Sequence, residues 1–185
     1  MSKFTETYIK DLYVIEPSIF KDERGYFFES YSLKDFHDNG IDVDVDFKQD
    51  NESYSRKGVL RGLHFQKEHP QGKLIRVIKG AVYDVAVDLR KNSLTYGKYY
   101  GIILSEENKT QFYIPEGFAH GFLVLSDETI FSYKCTDFYY KDDQGGVLWN
   151  DPDIGIDWSM GNADKVTLNE RDSSWPLLRD FKVEL

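Results

Sequence analysis

The stretch Gly58–Lys73 reads GVLRGLHFQKEHPQGK, and it decides what fold and chemistry the rest of the chain can have. It places three basic side chains, Arg61, His64 and Lys73, among apolar residues that are typical of a strand and a following turn. Basic groups are unusual inside such an element because burying a charge is costly. The stretch therefore predicts a candidate site that is carried on a β-strand.

The residues between Arg61 and His64 decide whether these two side chains can share one site. If residues 60–66 form a strand, successive side chains point to opposite faces. Strict alternation would then send Arg61 and His64 to different faces. Gly62 lies between them, and a glycine inside a strand often marks a bulge. A bulge or tight bend at Gly62 is therefore the natural way to bring both side chains to one face.

Outward from this stretch, apolar runs rich in β-branched and aromatic residues recur with turn signals at intervals of about 8 to 12 residues. This spacing predicts an all-β sandwich or barrel. Lys79-Gly80 resembles a hairpin turn, and the run after it is apolar on both faces, which predicts a central strand. The predicted strands are 26–31, 43–50, 60–66, 74–78, 81–89, 99–104, 111–114, 121–125 and 129–136.

Few other elements are predicted. Ser32 can cap a short helix that Gly40 is placed to end. The polar run 49–53 is interpreted as a loop, and the tail from Asp151 as irregular structure or short helices. No repeat or linker interrupts the chain, so its 185 residues are predicted to form one domain spanning 1–185.

Composition narrows the classes of protein. The single cysteine, Cys135, excludes a disulfide framework and a multi-cysteine metal site, and it is interpreted as a structural thiol. Neither an apolar leader nor a run of about 18 apolar residues is present, which predicts a soluble cytoplasmic protein without membrane contact. The net charge of −9 argues against a nucleic-acid partner. A small anionic ligand remains open if arginines and lysines cluster locally.

A second cluster, Pro115–Phe122, reads PEGFAHGF and is a Pro-x-Gly-x-x-His turn leading into an apolar strand. Together with Gly58-x₅-His64 it forms, in order, the two halves of the cupin motif of small jelly-roll barrels. Metal-binding cupins continue the first half with His-x-His and a glutamate. Here His64 is followed by Phe65-Gln66, so Gln66 takes the place of the second histidine, and two histidines are too few for a tight zinc or iron site. The sequence therefore predicts a cupin barrel that uses acid and base groups instead of a metal or cofactor.

Eight strings resemble the dTDP-4-dehydrorhamnose 3,5-epimerase family, in register from about residue 8 to 180. They are DERGYFFESY (22–31), FKQDN (47–51), VLRGLHFQ (59–66), QGKLIRV (71–77), YDVAVDLR (83–90), IPEGFAHGF (114–122), YKCTDFY (133–139) and WNDP (149–152).

The resemblance implies a dTDP-4-keto-6-deoxyhexose substrate, whose C3 and C5 are inverted by removing protons next to the C4 ketone. Such a reaction needs a base on one face of the sugar, an acid on the other and a cation at the enolate oxygen. The family's base matches His64, and the carboxylate that holds it matches Asp172. The opposite-face acid matches Tyr133, and Lys73 matches the cation near the ketone oxygen.

The resemblance also implies a binding site for the nucleotide and a homodimer with exchanged strands. Arg24 and Glu29 are expected to reach the neighbour's site, and Gln144 departs from the family pattern, which has an acidic residue there. The arginines match diphosphate contacts and Tyr139 matches the ring that stacks on thymine. The full set of implied substrate-binding residues is Arg24, Glu29, Gln49, Asn51, Arg61, His120, Tyr139 and Arg171.

Three alternatives remain open at this point. An epimerase acting at only one carbon, or a ketoisomerase on a dTDP-4-keto-6-deoxy sugar, would share the base and most of the nucleotide contacts. A metal-dependent cupin oxygenase is opposed by the missing ligands. A sugar-binding module without chemistry is opposed by the joint match of base, acid and cation.

Overall fold

The computed structural model describes residues 2–41, 46–158 and 166–181. Within these ranges the chain is built mainly of short strands, as predicted. The strands are β1 (Lys3–Glu6), β2 (Tyr13–Glu16), β3 (Phe20–Asp22), β4 (Gly25–Phe27), β5 (Gln49–Arg56), β6 (Leu60–Gln66), β7 (Lys73–Lys79), β8 (Ala81–Asp88), β9 (Tyr99–Ser105), β10 (Gln111–Ile114), β11 (Phe118–Val124), β12 (Glu128–Cys135) and β13 (Gln144–Gly146). Helical structure comprises α1 (Leu33–Asp38) and short 3-10 turns that include Lys141–Asp143 and Leu178–Asp180.

Two large antiparallel sheets form the barrel. One sheet has six strands in the order β1-β2-β10-β7-β12-β5, and the other has five in the order β13-β6-β11-β8-β9. Apolar side chains from both sheets meet in one inner core, which includes Ile75, Val82, Phe112, Phe122 and Phe131. The arrangement confirms the predicted all-β jelly-roll barrel with few short helices.

Each sheet is covered on its outer face. Phe36 of α1 is 3% exposed and packs with Ile15, Leu74 and Tyr113 on the six-stranded sheet. Ser32 begins the helix as predicted, because its hydroxyl accepts a hydrogen bond from the Asp35 N–H at 3.3 Å. The C-terminal segment covers the five-stranded sheet with apolar side chains that include Trp149, Trp158, Leu178 and Phe181.

The predicted bulge at Gly62 is confirmed. His120 pairs with His64 and Phe122 with Arg61, so β6 advances three residues where β11 advances two. Gly62 has a φ of +131°, and a Cβ there would lie 2.5 Å from Cα of Gly121. The extra residue turns Leu63 outward into the apolar layer and leaves Arg61 and His64 on the inner face.

The predicted hairpin at Lys79-Gly80 is wrong. β7 belongs to the six-stranded sheet and β8 to the five-stranded sheet, so the chain crosses from one sheet to the other at Gly80. A turn signal predicts a reversal but does not say which strand the next one pairs with. The prediction of β8 as a central strand is confirmed, because it pairs with β9 and β11 and contributes to the apolar layers on both of its faces.

Other boundaries differ from the predictions. The strand predicted over 26–31 ends at Phe27, because Tyr31 leaves the hairpin to pack its ring 5.3 Å from Phe36. The predicted strand 43–50 lies partly outside the described residues, and its described part enters a strand only at Gln49. The loop predicted over 49–53 is wrong, since β5 pairs with β12 along its whole length.

The predicted tail from Asp151 is confirmed where it is described, up to Trp158 and from Val166 to Phe181, as turns and short 3-10 helix. None of the helices in these described ranges has both the length and the apolar character that crossing a membrane requires.

Candidate active site

A cavity of about 320 Å³ lies inside the barrel, and it brings together ten of the twelve predicted site residues. Both sheets supply its walls, and the segment around Arg171 closes one side. The predicted residues that line it are Gln49, Asn51, Arg61, His64, Lys73, His120, Tyr133, Tyr139, Arg171 and Asp172.

His64 and Asp172 form a hydrogen-bonded pair on the wall that the five-stranded sheet supplies. His64 Nε2 lies 2.8 Å from Asp172 Oδ1, and the Gly62 N–H, which the bulge frees from the ladder, donates to Asp172 Oδ2 at 3.1 Å. The Asp172 side chain is 1% exposed, whereas that of His64 is 25% exposed. One end of the imidazole is therefore fixed against a buried carboxylate, and the ring faces the cavity.

The charge of Asp172 determines which nitrogen of His64 is basic. Burial by itself raises the pKa of Asp172, but the hydrogen bonds from His64 and Gly62, with Arg171 nearby, hold that pKa below its usual value. An ionised carboxylate only accepts hydrogen bonds, so Nε2 of His64 must donate. In the neutral ring the free lone pair is then on Nδ1, which makes this nitrogen the candidate general base.

Tyr133 lies on the opposite wall, which the six-stranded sheet supplies through β12. The centroid of its ring lies 5.8 Å from that of Phe131, at the edge of the inner core. Tyr133 therefore packs against the core and also lines the cavity. Burial raises the pKa of Tyr133, Cys135 adds to this shift and Arg61 opposes it. The phenol therefore keeps its proton near neutral pH and can donate it.

Lys73 begins β7 on the same wall and is only 8% exposed. Burial lowers the pKa of this lysine, and the neighbouring Cys135 and Asp84 oppose the shift by favouring the charged form. Asp84 is fully buried and holds a second histidine, because His120 Nε2 lies 3.0 Å from both of its carboxylate oxygens. Lys73 is thus a buried amine whose charged form Asp84 favours, and it lines the same polar cavity as His120.

The buried Cys135 has the structural role that the sequence predicts. Its sulfur accepts a hydrogen bond from Asn51 Nδ2 at 3.6 Å, and burial raises the pKa of its thiol. A protonated, buried thiol is a weak nucleophile.

Gln66 stands where metal-binding cupins have the second histidine of the His-x-His pattern, and here its amide binds backbone groups. Gln66 donates to the carbonyls of His69 and Phe138 at 2.8 and 3.0 Å and accepts from the Tyr140 N–H at 2.7 Å. Both N–H groups of its amide and one lone pair of its carbonyl oxygen are therefore engaged with the backbone. Within the described ranges, no group of three or more histidine, cysteine, aspartate or glutamate side chains is placed to share one.

Arg24 and Glu29 are not brought to this cavity within one chain. Arg24 lies at the tip of the β3-β4 hairpin with its side chain 86% exposed, and it pairs with Asp22 at 2.6 Å. Glu29 lies beside Phe36 and Gln111, on the outer side of the six-stranded sheet. The assignment of both residues to a neighbour's site stays a prediction.

Sequence reasoning missed several residues of the site. The sequence pattern predicts only a strand at Asp84, although a carboxylate in a run that is apolar on both faces signals a buried partner for a cation. Ser55 was also missed, and its hydroxyl accepts hydrogen bonds from Arg61 at 3.1 Å. Asp84 and Ser55 act behind the cavity wall. The lining residues that were not predicted as site residues are Ser53, Phe65, Gln66, Gln71, Phe122, Phe131, Gln144 and Asn169.

A larger groove, of about 920 Å³, lies outside the barrel beside Tyr8 and Leu94. Its arginine, Arg90, is already paired with Asp11 and Asp88 at 2.9 Å each. The smaller cavity is therefore the candidate active site, because it combines the unusual titratable groups with concave shape.

The fold is a cupin-type barrel, and its cavity holds candidate acid and base groups. A family model described as dTDP-4-dehydrorhamnose 3,5-epimerase matches residues 6–180. The enzyme of that name from Methanothermobacter thermautotrophicus is 54% identical over 183 residues, which cover 99% of this chain and 98% of the relative. This chain belongs to the dTDP-4-dehydrorhamnose 3,5-epimerase family and is an isomerase.

Two solved structures with bound ligands have the same fold. The dTDP-6-deoxy-D-glucose-3,5-epimerase of Legionella pneumophila, in complex with dTDP-4-keto-L-rhamnose, matches with a TM-score of 0.93 at 46% identity and covers 98% of this chain and 95% of its own. A double mutant of a 3′-monoepimerase from Streptomyces bikiniensis, in complex with dTDP, matches with a TM-score of 0.86 at 29% identity, over 95% of this chain and 87% of its own.

Proposed function

We propose that this enzyme inverts C3 and C5 of dTDP-4-dehydro-6-deoxy-D-glucose to give dTDP-4-dehydro-L-rhamnose, without a metal or cofactor. The observation that carries the proposal is that the candidate base and the candidate acid come from different sheets. His64 is on β6 and Tyr133 on β12, so they approach a sugar in the cavity from opposite walls. Removing a proton on one face and returning one on the other inverts the carbon.

The proposed reaction begins when Nδ1 of His64 takes the proton from the carbon next to the C4 ketone. The imidazolium that forms is stabilised by the ionised Asp172. The electron pair of the broken C–H bond moves into an enolate, whose oxygen is stabilised by the ammonium group of Lys73. Tyr133 then donates its phenolic proton to the opposite face of the carbon, and solvent restores the protonation of both groups. A second cycle at the other carbon completes the double inversion.

The nucleotide is proposed to bind at the cavity mouth. Arg61 and Arg171 line the cavity beside its exposed rim, where forked guanidinium groups can bind a diphosphate. Tyr139 is 48% exposed at the same rim, which leaves its ring free to stack on thymine. Gln49, Asn51 and His120 contribute further polar groups. The single buried cysteine is in keeping with work in the reducing cytoplasm.

A single-site epimerase is the second candidate, because a 3′-monoepimerase shares this fold. The two functions differ in their product. Incubating the enzyme with dTDP-4-keto-6-deoxyglucose and a coupled 4-keto reductase, with no added metal, should give the L-configured sugar by NMR. Inversion at only C3 or only C5 would assign the chain to the single-site class, and no inversion would contradict the proposal.

The homodimer is also part of the proposal. The β3-β4 hairpin stands apart from both sheets and exposes Phe20, Tyr26 and Phe27 by 62%, 57% and 66%. Proteins normally cover such an aromatic strand edge. A second copy that takes up the hairpin would cover these rings and bring Arg24 and Glu29 to its cavity.

Light scattering at micromolar concentration should give twice the chain mass of 21.6 kDa. Mixing variants tests whether Arg24 acts in the neighbour's site. Arg24→Ala and His64→Asn should each be inactive alone. If the two variants are co-expressed, each mixed dimer has one intact site. With random pairing half of the dimers are mixed, so the sample should have about a quarter of wild-type activity. A fully active monomer, or no recovery in the mixed sample, would contradict the exchanged arrangement.

A further inference from the structure

The aromatic segment Asp137–Tyr140 lies at the cavity mouth between β12 and the following 3-10 turn. Its Phe138, Tyr139 and Tyr140 are 50%, 48% and 40% exposed, which is unusual for three consecutive aromatic residues. No strand pairs with the segment in the described part of the chain. Something other than a β-ladder must therefore hold its backbone.

Side-chain amides from three glutamines hold it instead. Gln71 donates to the carbonyl of Asp137 at 2.7 Å, and Gln49 accepts from the N–H of Tyr139 at 3.0 Å. Gln66 contributes twice, because it donates to the carbonyl of Phe138 and accepts from the N–H of Tyr140. Four consecutive residues are thus each fixed through one backbone group.

Gln66 is the central member of this set. It is 4% exposed, and its remaining N–H donates to the carbonyl of His69 at 2.8 Å. The ring of His69 stacks on Tyr140, with centroids 4.1 Å apart and planes 27° from parallel. Gln66 therefore joins the turn at His69 to the aromatic segment through three hydrogen bonds, which use both of its amide donors.

Fixing this backbone matters for binding, because an exposed segment without a ladder would otherwise be ordered only when the ligand arrives. The entropy of that ordering subtracts from affinity. Here the Tyr139 ring is oriented in advance, since its N–H is held by Gln49 and its hydroxyl donates to Gln144 at 3.0 Å.

We infer that Gln66 is a positioning residue for nucleobase recognition: it holds the aromatic segment so that Tyr139 presents its ring to the base of a nucleoside diphosphate. The inference rests on the proposed function in taking a dTDP-sugar as the ligand. It adds that the position which carries a metal ligand in other cupins here sets affinity for the base, at the far end of the substrate from the reacting sugar.

The test compares binding of dTDP with binding of inorganic pyrophosphate, which lacks a base, both measured as competitive inhibition. Gln66→Met removes all three hydrogen bonds, and Gln66→Glu keeps the acceptor for Tyr140 but removes the amide donors. Both variants should bind dTDP about tenfold more weakly, the order expected for losing one base stack. Inhibition by pyrophosphate and kcat at saturating substrate should stay within about twofold of wild type.

Two further variants separate positioning from a general structural role. Thr129→Val removes another buried hydrogen bond, from Thr129 Oγ1 to the Ala81 carbonyl at 3.3 Å, at the other end of β12, and should change neither inhibitor's affinity. In a Tyr139→Ala background, Gln66→Met should cost no further dTDP affinity, because the ring that it positions is gone.

Unchanged dTDP binding in a folded Gln66 variant, or equal losses for dTDP and pyrophosphate, would overturn the inference. So would a full tenfold loss in the Tyr139→Ala background. If both Gln66 variants fail to fold, Gln71→Met decides by the same comparison, since it frees only Asp137. Wild-type turnover, measured in parallel, reports on the proposed function separately from these affinity ratios.

Discussion

Replacing His64 by asparagine is expected to lower turnover by at least about 10²-fold, the contribution typical of a general base. Asp172 still accepts a hydrogen bond from the Gly62 N–H, so the buried carboxylate keeps a partner and the fold is retained. What is lost is the lone pair on Nδ1. His120, on the neighbouring strand, cannot easily replace it, because its Nε2 is held by Asp84 in the cavity interior.

This prediction is checked by steady-state rates, with circular dichroism and dTDP inhibition showing that the variant folds and binds. His37→Asn is the matched control, since His37 is exposed on α1 and far in the fold from the cavity. It should leave the rate within about twofold. A folded His64→Asn enzyme that keeps more than a tenth of wild-type turnover would move the role of base to His120.

Removal of the Tyr133 hydroxyl is expected to have the second large effect. Tyr133→Phe keeps the ring that packs against Phe131 and loses only the proton donor. Because burial keeps the pKa of this phenol raised, the wild-type group is a proton donor at neutral pH. Formation of the inverted product should therefore fall by about 10²-fold or more. Normal inversion in a folded variant would transfer the role of acid to Tyr139 or to water.

Much of the fold could be predicted because local pattern and packing agree. The strand at Leu60–Gln66 has the predicted bounds, and its bulge follows from one glycine placed between two side chains that must share a face. The helix at Leu33–Asp38 follows from its serine cap and its one buried aromatic, Phe36.

The errors arose where pairing or the cavity determines the structure. The loop prediction over 49–53 fails because the inward residues Gln49, Asn51 and Ser53 face a polar cavity. The strand therefore lacks the apolar alternation expected of a half-buried element. The hairpin prediction at Lys79-Gly80 fails because a turn signal does not specify to which sheet the next strand belongs.

Some residues of the candidate site can also be predicted from local sequence, and others cannot. His64 and Lys73 could be found from basic residues in an apolar stretch, whereas Tyr133 and Asp172 were found only through the family resemblance. Tyr133 lies on the same face of β12 as the buried Phe131 and Cys135, and Asp172 lies in a polar turn 108 residues from His64 in sequence. Only the fold shows that Tyr133, Asp172 and His64 line the same cavity.

The most direct test of the account follows deuterium and configuration at C5 together, by NMR, when wild type and the two variants act on dTDP-4-keto-6-deoxyglucose in D₂O. Wild type should give deuterated, L-configured product. His64→Asn should give neither deuterium uptake nor inversion. Tyr133→Phe should take up deuterium without accumulating inverted product, because the base can still form the enolate and return a solvent-exchanged proton to the same face. Equal loss of exchange and inversion in Tyr133→Phe, or exchange that survives in His64→Asn, would contradict a base and an acid on opposite walls.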